Sequence, residues 1–315
     1  MTSKTLKPGR MRTDKSKIAF FLLFCLPPLL LYIFYSIVPI FQSFYASFFD
    51  TSGYDVLSQD NYIGLDNYKE LFQDERFFAA IKNDLVIILI KEIIICSLTV
   101  LFAVSLTRLR FKKFESNVYR FLFYIPNVLS IVIIATIWNF VLSPVTSVGV
   151  LNSLLRSLGL ETWIPDKGWT WEHPIGVISF VASWCGVGLF MLVMITAING
   201  VSKELYESAR IDGAGEWRQL WSITMPAVWQ QTKFMVITIL YQSFAANFGM
   251  VQAMLGESVD EKSVVMGKFV YENSFDSQFP RVGFSYAAGI VMLIVTTVIS
   301  LGANKLMSKG DENDG

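Results

Sequence analysis

Six long stretches of the chain are apolar and carry little or no charge. A helix needs about 20 apolar residues to cross the hydrocarbon core of a bilayer, and each stretch is long enough. Lipid offers the backbone no hydrogen-bond partner, so the pattern predicts helices rather than the shorter, alternating strands of a membrane barrel. The sequence therefore predicts an all-α membrane protein with six transmembrane helices. The predicted spans are residues 18–49, 85–107, 121–142, 175–198, 234–255 and 284–303.

The first stretch is too long for one straight crossing, and Pro27, Pro28 and Pro39 interrupt it. Proline lacks a backbone N–H and clashes with the preceding turn, so this stretch predicts a kinked helix. We place the six-helix transmembrane domain at residues 18–307. A basic tail at 1–17 precedes it, and a polar tail at 308–315 follows it.

The positions of Lys and Arg predict the orientation of the chain, because cytoplasmic flanks of membrane spans are rich in both. The N-terminal tail contains six of them against Asp14 alone, and the loop after span two contains five against Glu115. The loop after span one is acidic. Six spans then place both termini and the loop 199–233 in the cytoplasm. The basic residues are Lys4, Lys7, Arg10, Arg12, Lys15 and Lys17 in the tail, and Arg108, Arg110, Lys112, Lys113 and Arg120 in the loop.

The chain lacks the short motifs of ATP hydrolysis and of other catalysis. It contains no phosphate-binding loop, no zinc-protease motif, no dinucleotide fingerprint and no nucleophile elbow. Its one histidine and three cysteines have no spacing that suggests a metal site or a disulfide framework. We therefore expect no enzyme activity, no cofactor and no metal on this chain. If the chain moves a solute uphill, the energy must come from a partner or from an ion gradient.

Ion coupling predicts ionisable residues deep within the spans. Only Lys91 and Glu92 meet this description, with Asp84 nearer the rim. Lys91 and Glu92 point about 100° apart on a helix, whereas Asp84 and Lys91 share a face and lie about 10 Å apart along it. Two interpretations stay open. The charges meet neighbouring helices or a partner near the outer interface, or they line a hydrated substrate cavity.

A charged segment at 204–217, ELYESARIDGAGEW, separates spans four and five. Ser202 is a suitable N-cap for a short helix, which Gly213 and Gly215 interrupt. A second helical pattern follows, and Pro226 is expected to end it. Acidic residues outnumber basic ones here, which disfavours contact with anionic lipid and favours a protein partner. The second pattern consists of Trp217, Leu220, Trp221 and Thr224.

The spacing within this segment has a known counterpart. Glu207-Ser208-Ala209 is followed by Asp212-Gly213-Ala214, and then by Ile223 and Met225-Pro226. This pattern resembles the EAA loop of ABC importer permeases, from which Ser208 and Met225 depart mildly. Residues 62–83, 125–160, 242–255 and 263–275 resemble the first permease of the carbohydrate-type subfamily, which includes the maltose and multiple-sugar permeases. Gly256-Glu257-Ser258 stands where that family often has Gly-Gly-Pro.

The resemblance implies a type I importer permease that works by alternating access in a bacterial cell membrane. Its expected partners are a second permease, two ATPase subunits that hold ATP and Mg²⁺, an extracytoplasmic solute-binding protein and lipid, but no nucleic acid. The expected substrate is a carbohydrate, a di- or oligosaccharide. The loop is expected to form a coupling helix that docks on an ATPase subunit, with Glu207 as the charged contact and Gly213 as the turn. The docking residues are Glu207, Ala209, Asp212, Gly213, Ala214 and Pro226.

Several residues of the spans suit a sugar site, because a sugar ring has apolar faces and a polar rim. Each also has an alternative role in hydrogen bonding between helices or in anchoring at the membrane interface. An ion-coupled secondary transporter of a polar solute is the alternative function, although the spans show no inverted repeat. The substrate-pathway candidates are Tyr241, Gln242, Asn247, Phe248, Trp138, Asn139, Trp184 and Glu92.

Overall fold

The computed structural model describes residues 15–51, 59–108, 112–145, 149–257, 259–276 and 280–312. The described residues are mostly helical, and none of them belongs to a β-strand; one isolated bridge pairs Phe49 with Tyr62. The predicted all-α fold is confirmed. Most of the basic N-terminal tail lies outside the described residues, as do Arg110, Ser258 and the end of the polar C-terminal tail.

The helices follow one another with short connections. In chain order they are α1 (Lys15–Phe24), α2 (Leu26–Tyr32), α3 (Val38–Ala46), α4 (Asp66–Leu71), α5 (Glu75–Arg108), α6 (Lys113–Val128), α7 (Ile131–Val141), α8 (Val150–Ser157), α9 (Trp169–Glu172), α10 (Pro174–Asn199), α11 (Lys203–Ile211), α12 (Glu216–Gln219), α13 (Met225–Ala227), α14 (Trp229–Leu255), α15 (Met266–Tyr271) and α16 (Val282–Glu312). Wider π-helical turns occupy Ile33–Ile37, Leu220–Thr224 and Glu272–Asp276, and single 3₁₀ turns occupy Gln59–Asn61 and Glu161–Trp163.

Within the described residues, five helices are long and apolar enough to cross a membrane, and they coincide with predicted spans one, two, four, five and six. The last of them continues as a helix beyond the predicted domain limit at residue 307. The candidate spans are Ala19–Ala46, Glu75–Arg108, Pro174–Asn199, Trp229–Leu255 and Val282–Ser308.

Span three is not the single straight helix that its hydropathy suggests. It consists of α6 and α7, which are bent by 103° relative to each other. Pro126 lies in the last turn of α6, where it provides no N–H, and Leu129 then adopts an extended conformation. Ser130 starts α7 as its N-cap by accepting a hydrogen bond from the Ile133 N–H at 3.4 Å. The break therefore follows from one proline and one capping serine.

Span one contains the interruptions that its prolines predict. A non-helical turn at Cys25 precedes Pro27 and Pro28, and the π-helical turn Ile33–Ile37 precedes Pro39. These positions tolerate proline because a wider or broken turn removes the need for its missing N–H. The most apolar part of this span has no buried residue. Its last helix, α3, packs on α16.

Helix α10 is the centre of the bundle, since it packs against α5, α6 and α14. One cluster of buried side chains joins α5, α10 and α14, and includes Met191, Met194 and Met235. Helices α6 and α10 approach so closely that a Cβ on Gly188 would lie 2.1 Å from the Phe123 carbonyl oxygen. The small residue therefore permits helix packing, as is common in membrane bundles.

The bundle has two ends with different polar contacts. At one end, formed by residues 59–75, 259–276 and 280–281 and called the outer end below because the sequence predicts it to be extracytoplasmic, Arg281 donates two hydrogen bonds to the Glu70 carboxylate at 2.7 and 2.5 Å. These bonds hold the pKa of Glu70 below its ordinary value. Arg76 pairs with Glu272 at 2.5 Å. The opposite end carries residues 200–228, called the coupling loop below.

Candidate functional site

The coupling loop begins with the predicted cap. The Ser202 hydroxyl accepts a hydrogen bond from the Glu204 N–H at 3.2 Å, so Ser202 is the N-cap of α11. Glu204 lies in the first turn, where a carboxylate interacts favourably with the positive end of the helix dipole. The start of α11 is thus determined locally, by two residues that the sequence identifies.

Helix α11 ends in a Schellman motif. The Ala214 N–H donates to the Ala209 carbonyl at 2.8 Å, and the Gly213 N–H donates to the Arg210 carbonyl at 3.0 Å. Gly213 has a φ of +78°, which favours glycine because it has no Cβ. Three of the residues carried over from the EAA pattern, Ala209, Gly213 and Ala214, therefore form one turn. Glu207 and Asp212 beside them are exposed.

The second half of the loop differs in detail from the predicted helix. Pro226 does not end the helical path; α13 runs through it to Ala227, and the path ends at Val228. The π-helical turn Leu220–Thr224 precedes the proline and accommodates its missing N–H. The predicted apolar face is also divided, since Thr224 is buried whereas Trp217 is 75% exposed.

The coupling loop exposes large apolar side chains. Ile211, next to the Schellman turn, is 87% exposed, and Leu205, Trp217 and Trp221 are also exposed. Large apolar side chains exposed among charged residues are typical of a protein contact surface. Acidic and basic residues, among them Glu207, lie between these positions in the loop sequence, and this mixture suits a protein partner better than bare lipid.

A contact that the sequence does not reveal joins this loop to span two. The Arg108 guanidinium, at the end of α5, lies 4.3 Å from the centroid of the Tyr206 ring. It donates to Glu216 Oε2 and to Gln219 Oε1, each at 3.4 Å, and also to Thr224 Oγ1. The sequence assigned Arg108 only to the basic flank of span two, because its partners lie about a hundred residues further along the chain.

The charges of span two lie in a buried hydrogen-bond network. Asn247 donates to Asp84 Oδ1 at 2.8 Å, and its Oδ1 accepts from Lys91 Nζ at 3.3 Å. Lys91 also donates to Ser243 Oγ at 2.9 Å, and the Met266 N–H donates to Asp84 Oδ2 at 2.8 Å. Asn247 thus bridges the separation between the two charges. The first interpretation, contact with a neighbouring helix, holds for Asp84 and Lys91.

Lys91 also lines a cavity of about 230 Å³ among spans two to five. Gln242, Ser243 and Asn127 supply its other polar side chains, and apolar residues complete the wall. The break in span three borders this cavity at residues 126–131. A broken helix at membrane depth is tolerated where it is covered by protein or lines a hydrated space. The second interpretation of Lys91, a cavity position, is compatible with the first.

The other predicted substrate-pathway residues of spans two and five lie elsewhere. Glu92 accepts a weak hydrogen bond from the Cys96 thiol at 3.6 Å and does not line this cavity. Tyr241 is 69% exposed on the outside of the chain. Phe248 packs against Tyr271, with ring centroids 5.4 Å apart. The candidates of span five therefore point in at least three directions.

The candidates of spans three and four form a second group. The Trp138 ring meets Trp184 edge-on at a centroid distance of 5.6 Å, and it meets Phe180 at 5.3 Å. Asn139 donates to the Met254 carbonyl at 3.3 Å. This aromatic cluster does not line the Lys91 cavity. Of all the predicted candidates, Gln242 lines that cavity and Asn247 is one hydrogen bond away from it.

Ser243 and Asn127 were missed as candidates. Ser243 lies four residues before Asn247 on the same helical face, which is the spacing that would have identified it. Asn127 follows Pro126 within an apolar run. This pair is the signal that would have identified Asn127, because a broken helix at membrane depth is tolerated where it lines a cavity.

Solved structures share this fold. One chain of a bacterial ABC transporter involved in the import of the acidic polysaccharide alginate superimposes with a TM-score of 0.80. The match covers 96% of this chain and 99% of that chain, at 24% sequence identity. A chain of the bacterial alginate ABC transporter in complex with an alginate pentasaccharide-bound periplasmic protein matches with a TM-score of 0.78 at 26% identity, covering 95% and 97%.

Curated relatives share the sequence over nearly its whole length. The chain is 31% identical over 291 residues to the probable ABC transporter permease protein YurN of Bacillus subtilis, covering 91% of this chain and 96% of that protein. It is 29% identical over 309 residues to the diacetylchitobiose uptake system permease protein NgcF of Streptomyces coelicolor, covering 93% and 84%. Residues 98–310 match a family model. The chain therefore belongs to the family of inner membrane components of binding-protein-dependent transport systems.

Proposed function

We propose that this chain is the permease subunit of an ATP-driven importer for a carbohydrate, a di- or oligosaccharide. Its partners are a second permease, two ATPase subunits and an extracytoplasmic solute-binding protein. The Streptomyces relative is named for uptake of diacetylchitobiose, and the structural neighbour imports alginate; both substrates are carbohydrates of more than one sugar unit. Shared family membership extends this substrate class to the present chain.

The observation that carries the proposal is the coupling loop. Helix α11 is capped at both ends by its own residues, so it can act as a rigid unit. It exposes Glu207, Asp212 and the apolar Ile211 to a partner. In the proposed mechanism α11 docks on an ATPase subunit, and closure of the ATPase pair moves the loop and the spans attached to it. ATP and Mg²⁺ bind to the ATPase subunits rather than to this chain.

The orientation follows from the same arrangement. The coupling loop must face the ATP-containing cytoplasm, which places both termini of a six-span chain in the cytoplasm of a bacterial cell. Arg108 and Lys112, which flank span two, lie at this end, in agreement with the rule that Lys and Arg favour the cytoplasmic side. The outer end then faces the binding protein.

We assign the solute pathway to the cavity beside the broken span. Lys91, Asn127, Gln242 and Ser243 give this cavity donors and acceptors within an apolar wall. That combination suits the hydroxyl groups and the apolar faces of a sugar. The charges of Lys91 and Asp84 are joined through Asn247, so the network adds no uncompensated charge and suits a neutral polyhydroxylated solute.

The experiment that tests the function is co-purification followed by measurement of ATP hydrolysis. The tagged chain is expressed with its neighbouring transport genes, and ATPase activity is measured in proteoliposomes with the binding protein empty or loaded with candidate sugars. We expect an ATPase to co-purify and one loaded binding protein to stimulate it.

A different result would contradict the proposal. If no ATPase co-purifies and transport continues in its absence, the energy comes from an ion gradient. The chain would then be a secondary transporter, and Lys91 and Glu92 would be the first residues to test for ion coupling.

A further inference from the structure

The coupling loop is covalently continuous with spans four and five only. Helix α10 leads into it at Asn199, and α14 follows it at Trp229. Span two belongs to another part of the chain, yet it carries Lys91 and forms one wall of the cavity. Movement of the loop reaches span two by two routes, the packing of α10 and α14 against α5 and the direct contacts between the loop and the end of α5.

Arg108 makes the polar part of these contacts. Among the described residues, every hydrogen bond, ion pair and cation–π contact between α5 and the coupling loop involves its guanidinium. The side chain is only 13% exposed although it is charged and lies at a helix end. A charged group that is largely withdrawn from water needs partners on several sides, and Arg108 finds them on the loop.

The partners of Arg108 come from three separate elements of the loop. Tyr206 belongs to α11, Glu216 and Gln219 belong to α12, and Thr224 belongs to the π-helical turn. These partners are also joined to one another and to the Schellman turn. The Tyr206 and Thr224 hydroxyls lie 3.2 Å apart, and Gln219 Nε2 donates to the Ala214 carbonyl at 2.7 Å.

The chemistry of arginine suits this role. Its planar guanidinium has five N–H donors in a fixed fork and can stack on an aromatic ring at the same time, whereas a lysine ammonium is a compact point charge. Three oxygen acceptors and one ring around Arg108 use both properties. The contact therefore holds the loop in one orientation relative to α5 rather than simply attracting it.

We propose that Arg108 is the positioning residue that links the coupling loop to span two, so that the ATP-driven movement of the loop carries span two with spans four and five. Lys91 lies 17 positions before Arg108 on the same continuous helix, about 25 Å along its axis. A rigid helix of this length transmits displacement from the loop to the cavity wall. This inference rests on the proposed function, because it concerns how the loop moves.

The test separates coupling from folding by comparing two ATPase activities. Arg108→Lys and Arg108→Gln are assembled with the partner subunits in proteoliposomes, and basal ATPase, binding-protein-stimulated ATPase and sugar uptake are measured. We expect complexes that assemble with unchanged basal ATPase, and a loss of at least tenfold in both stimulation and uptake. Arg108→Lys keeps the charge, so its failure would identify the fork and the stacking as the required features.

Lys112→Gln is the matched control, because it removes one positive charge at the same end of the bundle from an exposed side chain. It is expected to behave as wild type. Stimulation and uptake that stay normal in both Arg108 variants would overturn the proposal. An Arg108→Lys complex that assembles but loses basal ATPase in parallel with stimulation would make Arg108 a general structural contact and would also overturn it.

If neither Arg108 variant assembles, Thr224→Val decides the question. Valine keeps the branched shape of this buried side chain but removes the hydroxyl that Arg108 and Tyr206 contact. The proposal expects at least a threefold loss of stimulation at unchanged basal activity, and normal stimulation would overturn it. A wild-type chain without a co-purifying ATPase would instead refute the proposed function, so the two failures are distinguishable.

Discussion

Replacing Gly213 with alanine tests whether coupling depends on the turn that ends α11. The φ of +78° at this position costs a residue with a Cβ roughly 1 kcal/mol. A Cβ here would meet no atom of the chain within 4 Å, so internal steric conflict adds nothing to this cost. Since 1.4 kcal/mol corresponds to a factor of ten, about 1 kcal/mol shifts the equilibrium between the native turn and its alternatives roughly fivefold away from the native turn.

An asparagine at the same position separates two explanations of the effect. Asparagine tolerates the left-handed conformation better than alanine does, although its side chain is larger. If the turn geometry controls coupling, Gly213→Asn retains more activity than Gly213→Ala. If a bulky side chain instead blocks docking on the ATPase subunit, Gly213→Asn retains less coupled activity than Gly213→Ala, and Gly213→Asp also loses coupling.

The assay is stimulation of ATP hydrolysis by the loaded binding protein, with sugar uptake measured in parallel. Gly159→Ala is a matched control, because Gly159 ends α8 at the outer end with a φ of +70° and open space around it. Its turn has the same two hydrogen bonds, from Gly159 N–H to the Arg156 carbonyl and from Leu160 N–H to the Leu155 carbonyl. A loss of coupling of up to about fivefold in Gly213→Ala and none in Gly159→Ala is expected. Equal, full coupling in both variants would refute the reasoning.

Two further predictions concern the packing and the buried charges of the bundle. Gly188→Ala should lower the stability of the detergent-solubilised protein by about 1–3 kcal/mol, because its Cβ would lie 2.1 Å from the Phe123 carbonyl oxygen. Gly176→Ala on the same helix is the control, because its Cβ would meet nothing within 4 Å, and it should leave the stability unchanged. Thermal unfolding checks this, and equal melting temperatures would contradict it. Lys91→Met should cost roughly 1–3 kcal/mol, because it removes the buried donor to Ser243 and Asn247 and leaves Asp84 without a nearby positive charge. Combining it with Asp84→Asn should cost less than the sum of the two single effects. A double variant whose destabilisation equals that sum would show that the two charges are independent, and a larger destabilisation would also contradict the prediction.

The sequence predicts those features of the fold that depend on neighbouring residues. Length and hydropathy identify five of the spans, and Ser202 and Gly213 identify the limits of α11, because a cap or a left-handed turn is determined within a few residues. The 103° break in span three is not visible in a hydropathy average, since Pro126 and Ser130 occupy only two positions of an apolar run.

The partners of Lys91 and Arg108 could not be predicted from sequence distance. Ser243 lies 152 residues from Lys91, and Thr224 lies 116 residues from Arg108. Sequence patterns show that such residues are unusual in an apolar span or at its end. They do not show which helices pack together, and it is the packing that selects the partner.

Helix α5 connects three places that the transport cycle must coordinate. Its outer part holds Asp84, which accepts a hydrogen bond from the first turn of α15 at the end that faces the binding protein in the proposed orientation. Its middle holds Lys91 at the cavity, and its last residue is Arg108 at the coupling loop. Two binding sites are coupled when each of them favours one of the two positions of the same structural element. Binding at either site then affects binding at the other by the same free energy. A rigid α5 with contacts in its outer part and at its last residue thus gives one physical route by which a loaded binding protein stimulates ATP hydrolysis and closure of the ATPase pair changes the cavity.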